Sequence, residues 1–199
     1  MLLAVEKGAL SWDDLDLPMS LIRHDWNGSQ LDVPVTFGLA LDDTRLWFVA
    51  GCESPALVHP ESAPGQYTPG LWRYDVAEFF LADPDTGRYL EFNLAAHGAW
   101  WSALFLAPRM PAAEEDKLPG VKTYAKNLHG GGWIAAAAIP LEVLRERVGL
   151  GEDSRMNVTF IIDSPEQKYL SVNPPQGGEP DFHQPALWTQ VEIRPGKFF

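Results

Sequence analysis

The 199-residue chain carries 27 Asp and Glu against 15 Lys and Arg, for a net charge of −12, and 46% of it is hydrophobic. That apolar share is enough for one sizeable core and excludes general disorder, while the acidic balance disfavours phosphate backbones as partners. A single cysteine, Cys52, excludes an internal disulfide and any cysteine-based metal cluster.

The 8 Trp, 17 Gly and 17 Pro point to many turns and to rings that either stack on ligands or fill an aromatic core. Met1 to Gly8 has no basic leader and too short an apolar run for a signal peptide, which predicts a cytoplasmic protein and leaves secretion open. No apolar stretch is long enough to cross a bilayer.

In chain order, Val33, Val35, Phe37, Leu39 and Leu41 share one face of an extended segment. A break at Asp42–Thr44 and a second run, Arg45 to Cys52, complete a hairpin signal. Residues 53 to 70 read as a long surface loop. Asp75 to Ala82, Arg88 to Ala95 and Ala99 to Ala107 read as three strands joined by turns at 83–87 and 97–98. In the second, Leu90, Phe92 and Leu94 face one way and Tyr89, Glu91 and Asn93 the other, as in an antiparallel sheet with one accessible face.

Pro108 to Gly120 is a loop with a charge cluster at Glu114, Glu115, Asp116 and Lys117. Strands follow over Val121–Leu128 and Trp133–Ile139, the latter with four alanines that suggest close packing, as of sheet on helix. Pro140 suits the first position of a helix, Leu141 to Val148, closed by Gly149 and Gly151. Met156–Asp163 and Lys168–Val172 are late strands, Asn173 to Pro185 a second Pro- and Gly-rich loop, and Leu187–Ile193 a closing strand. The pattern predicts an all-β fold, a β-sandwich of two antiparallel sheets with one short helix near 141–148. It covers 1–199 as one domain, with 1–30 as an N-terminal arm.

Four segments in order resemble family 9 carbohydrate-binding modules and the wider DOMON-like superfamily. They are Leu71 to Leu81, which carries a Trp-x-x-Asp-x-x-Glu-x-Phe pattern; Tyr89 to Leu94 with Gly98 after it; Gly132 to Pro140; and Pro180 to Pro185. The resemblance runs from about Val33 to Ile193. It implies a sandwich whose concave face holds a sugar between two rings, carried over to Trp72 and Phe182. Glu78 falls on the carboxylate that accepts sugar hydroxyls. A basic residue of those binders falls on Asn93, which carries no charge. The implied ligand-binding set is Trp72, Glu78, Asn93, Phe182 and His183, the implied partner a mono- or oligosaccharide, and no catalysis or cofactor is expected.

Each of these residues has a plainer reading. Trp72 could cap the core, and Glu78 could pair with Arg73, Arg88 or Arg109. Asp75 reads as a backbone anchor at its strand start. Of Trp100 and Trp101, one must be core while the other can line the open face beside Asn93. Asp181 and His183 have the spacing of a base with its orienting carboxylate, which keeps a hydrolase as an alternative, although no Gly-x-Ser-x-Gly elbow exists. His24, His59, His97, His129 and His183 lack metal-ligand spacing. Calcium remains open at Asp42, Asp43, Asp83 and Asp85, which also suit turns. Haem is a further alternative, through Met110 with His183 or His97.

Overall fold

The computed structural model describes residues 1–5, 8–113, 116–175 and 177–195. Of the acidic cluster after Pro108, Glu114 and Glu115 lie outside them. The strands among the described residues are β1 (Leu2–Val5), β2 (Ser20–His24), β3 (Gln30–Leu41), β4 (Arg45–Cys52), β5 (Val76–Ala82), β6 (Tyr89–Ala95) and β7 (Trp100–Ala107). They continue as β8 (Met110–Pro111), β9 (Lys122–Asn127), β10 (Trp133–Pro140), β11 (Arg155–Ile162), β12 (Lys168–Ser171), β13 (Thr189–Gln190) and β14 (Glu192–Pro195). One α-helix, α1 (Leu141–Val148), follows β10. No helix among the described residues is long and apolar enough to cross a membrane.

Two sheets form the expected sandwich. The first has the order β14-β1-β3-β4-β10-β9, with β2 also paired to β3; the second has the order β12-β11-β5-β6-β7-β8, with β13 also paired to β11. Pairing is antiparallel except at one edge, where β1 runs parallel to both β3 and β14. Alternation places the core. Phe79 and Leu81 of β5, Phe92 of β6 and Phe160 of β11 point inward to meet Phe37 and Leu39 of β3, Phe48 of β4 and Ile139 of β10. Phe48 and Phe79 meet edge to face at 5.2 Å. Full burial of each such ring contributes about 2 kcal/mol.

The alanines of β10 split between the two faces of the first sheet. Ala135 and Ala137 enter the central core. Ala136 and Ala138 pack outward with Trp47, under Leu10, Trp12, Leu15 and Leu17 of the N-terminal segment. The element that needs small side chains there is therefore this strap and not a helix. Tyr124 joins it, stacked on Trp12 at 5.7 Å and on Trp47 at 5.9 Å.

Pro140 ends β10 in extended conformation opposite Arg45, and α1 begins one residue later. The first helical N–H, that of Leu141, is then satisfied by the Thr44 carbonyl at 2.8 Å. Gly149 closes the helix in the left-handed region, at φ 57°. The closing segment breaks into two strands in different sheets, because buried Val191 crosses between them with its N–H bonded to Ser154.

Candidate functional site

The outer face of the second sheet carries a second aromatic cluster. Val76 and Phe80 of β5, Tyr89 of β6, Trp101 and Phe105 of β7 and Ile161 of β11 belong to it, with Phe182 and Tyr169 packed against them. These are the residues that alternate with the core-facing ones. Over this face opens a cavity of about 700 Å³, within the usual range for small-molecule sites. Its walls include Trp72, Glu78, Glu91, Trp101, Phe182 and His183.

Two loops bring in the parts that the sheet does not supply. Trp72 sits in a single 3₁₀ turn, Leu71–Arg73, entered through Gly70 at φ 82°. Buried Leu71 anchors one side of that turn, and Trp72 projects from it, 37% exposed, against Trp101 at 4.9 Å. Buried Asp75 fixes the chain behind it by accepting the N–H of Leu57 at 3.0 Å and of Ser164 at 2.8 Å. Phe182 comes from the late loop and rests on Trp26 at 5.7 Å, on Tyr169 at 6.0 Å and on Phe80 at 6.3 Å.

Glu78 is 2% exposed. Its partner is the Thr159 hydroxyl, which donates to Oε2 at 2.8 Å from the neighbouring strand. None of the three arginines considered for it is needed, and Arg109 instead pairs with Asp181 at 3.0 Å. Burial, reinforced by the charge of Glu91, holds the Glu78 carboxyl well above the usual carboxylate range. Glu91 is 6% exposed, and burial pushes it up to about 7. The strand register pairs Glu78 with Asn93 and Phe80 with Glu91, so the two glutamates are diagonal neighbours on one face.

Asn93 is fully buried across from Glu78 and Trp101. Its amide makes no hydrogen bond of good geometry, yet it lies near enough to Glu91 to offset part of that residue's shift. It has no exposed surface and stands behind Glu91, while Trp72, Glu78, Phe182 and His183 line the cavity itself.

His183 is tied into the wall. Its Nδ1 lies 2.8 Å from the Tyr89 hydroxyl, which also accepts the backbone N–H of Arg109 at 3.1 Å. The ring tautomer sets which of the two donates, and Nε2 on the far side of the ring lies 3.6 Å from a Glu91 oxygen. That distance is too long for a hydrogen bond, and burial lowers the His183 pKa, so the contact is not an ion pair at neutral pH. Asp181 does not orient this ring as a catalytic partner would. One of its oxygens accepts the His183 backbone N–H at 3.0 Å and also meets Arg109.

The remaining candidates fall elsewhere. Met110 is exposed on β8, and His97 Nε2 meets the Ser62 hydroxyl at 3.0 Å. Asp42 and Asp83 bond turn backbone and neighbouring side chains. Among the described residues no group of three His, Cys, Asp or Glu side chains is arranged to hold a metal. Sequence reasoning passed over Glu91, Phe105 and Tyr169 as wall residues. The signal for Glu91 was present: pairing Ala82 with Tyr89 across the 83–87 turn sets it beside Phe80 and diagonal to Glu78.

A cavity of similar size, about 710 Å³, lies between β2 and a wall that includes Ser171, Val172, Pro174, Pro175 and Gly177. Trp26 lines it, but the indole N–H is already given to the Gly178 carbonyl at 3.0 Å, and the walls contain no buried carboxylate.

In fold, the sandwich is similar to family 9 carbohydrate-binding modules. Two solved modules of that family from Caldicellulosiruptor kristjanssonii, one in complex with glucose and one with cellotriose, align with TM-scores of 0.65 and 0.63. They are 14% and 13% identical to this chain, cover 99% of it in both cases, and are themselves covered to 97% and 95%. A Bacteroides uniformis protein provisionally described as carbohydrate-binding aligns with a TM-score of 0.72 at 15% identity, over 97% of this chain and 99% of its own. In sequence, the chain is similar to the "UPF0462 protein C4orf33 homolog" of Danio rerio, 28% identical over 178 residues, which span 82% of this chain and 83% of that protein. Its Rattus norvegicus counterpart is 25% identical over 181 residues, 87% of this chain and 80% of that protein. No protein-family model matches.

Proposed function

We propose that the protein binds a mono- or oligosaccharide, without transforming it, in the cavity on the open face of the second sheet. The observation that carries this reading is the composition of one wall: projecting rings beside a buried, acceptor-rich carboxylate pair. Trp72 and Phe182 offer flat apolar faces to a pyranose, which buries area without ordering long side chains. Glu78 and Glu91 meet hydroxyls, each as acceptor when ionised and as donor too when protonated. His183, with Nε2 turned to this wall, adds a further hydrogen-bonding group. Glucose and cellotriose, the sugars held by the two Caldicellulosiruptor modules, are the natural first probes.

Trp72 gives the cleanest test, because its exposure makes it nearly dispensable for folding. Trp72→Ala is expected to weaken binding by about 1–3 kcal/mol, the scale of one buried aromatic contact, with an unchanged melting temperature. Calorimetric titration with both sugars reads the first quantity and a thermal melt the second. The reading fails if neither sugar binds the wild type, or if the variant binds equally well.

A further inference from the structure

We infer that the cavity selects a sugar bearing a free ammonium group, a hexosamine, over its neutral and acidic counterparts, with Glu91 as the partner of the ammonium. This rests on the sugar-binding reading above and narrows its ligand.

The ionisable groups that meet at this wall are Glu78 on β5, Tyr89 and Glu91 on β6, Arg109 between β7 and β8, Tyr169 on β12, and Asp181 and His183 on the late loop. Arg109 is the one permanent cation among them. It is 64% exposed and committed to Asp181. His183 is neutral, for the reason given above. Tyr89 is pushed up to about 12 by burial and stays neutral as well. Two buried carboxyl groups therefore share one face with no free cation among the described residues beside them, and both hold their protons above the usual carboxylate range for want of one. A buried carboxylate without a cation is costly, and a ligand that brings one removes that cost.

Asn93 is a second sign that this corner is incomplete. It is fully buried on the same face, and both its amide nitrogen and oxygen lack a hydrogen bond of good geometry. A ring substituent carrying –NH₃⁺ offers three donors, enough to meet Glu91 and Glu78 together. The surrounding rings favour a cation further through their negative faces. The net charge of −12 draws the same ligand in and repels uronic acids.

The experiment compares D-glucosamine, D-glucose and N-acetyl-D-glucosamine by calorimetric titration of the full chain at pH 7, with wild type and Glu91→Gln. Glucosamine is expected to bind wild type at least about tenfold tighter than the other two, as one charge-assisted hydrogen bond would give. Acetylation removes the charge while keeping the ring, so it isolates the ammonium. In Glu91→Gln the preference should vanish, glucosamine losing at least about tenfold more affinity than glucose, and a thermal melt of the variant checks that it is folded. If glucose binds wild type as tightly as glucosamine, this inference is overturned and the sugar-binding reading stands. If Glu91→Gln loses both sugars together, Glu91 supports the cavity wall and the inference is again overturned. If none of the three sugars binds, the sugar-binding reading falls and this one with it.

Discussion

Glu91 shows how burial on an open sheet face becomes a measurable pH dependence. Its carboxyl is held at about 7 in the folded chain against 4.5 when free. Below pH 4.5 both states carry the proton and the residue is neutral to stability. Between 4.5 and 7 the unfolded chain releases its proton while the folded one keeps it, so stability falls as pH rises through that window. The gap corresponds to about 3 kcal/mol. Glu91→Gln should therefore equal wild type near pH 4.5 and exceed it by roughly that amount at pH 8. Urea denaturation at the two pH values checks this, and an equal difference at both would contradict it. His183 works in the opposite sense: burial lowers its pKa, so stability is lost as pH falls below its free value of 6.5. Because both proteins keep His183, its contribution cancels in the comparison.

Among the elements, the β3–β4 hairpin has the most concentrated polar anchor. Buried Asp42 accepts N–H groups from Thr44 and Arg45 at 2.7 Å, from Leu10 at 3.1 Å and from the Trp47 indole at 2.8 Å. Burial alone would raise its pKa; the bonds from Trp47, Thr44, Leu10 and Arg45 outweigh that and hold it below the usual value. One side chain thus closes the turn and ties down the N-terminal strap. Asp42→Ala leaves these four N–H donors and the Thr44 hydroxyl without this acceptor and should cost about 3 kcal/mol or more in chemical denaturation, while Asp42→Asn keeps one acceptor oxygen and should cost less. A loss under about 1 kcal/mol for the alanine variant would contradict the role given to Asp42.

The same scale shows what was legible beforehand. Strands β5, β6, β7, β10 and β11 announce themselves through alternation and turn residues, because each is long and pairs with a neighbour close in sequence or strongly apolar. Strand β1 is four residues long, and its partner β14 lies 190 residues away, so no local pattern marks it. Strand β2 has a single buried position, Ile22, and so no alternation to read. At the site, Trp72, Glu78 and Phe182 were reachable from motif and alternation, and the structure brings all three to one cavity. The burial of Asn93 was not reachable, because it depends on packing across the face rather than on the strand that carries it. Nor was the bond from the Arg109 backbone to Tyr89, which follows from a turn residue at φ 60°.

For the whole molecule, the sandwich divides its labour. One outer face is sealed by the N-terminal strap, while the other is left open beneath two loops held by Asp75, Trp26 and the Asp181–Arg109 pair. The most direct test of the central claim, that this open face is a sugar site, is a crystal structure grown with saturating cellotriose. The account predicts a terminal sugar ring in the cavity between Trp72 and Phe182, with a hydroxyl within hydrogen-bond distance of Glu78. Sugar lodged instead in the cavity beside Trp26, or no sugar at saturation, would contradict it.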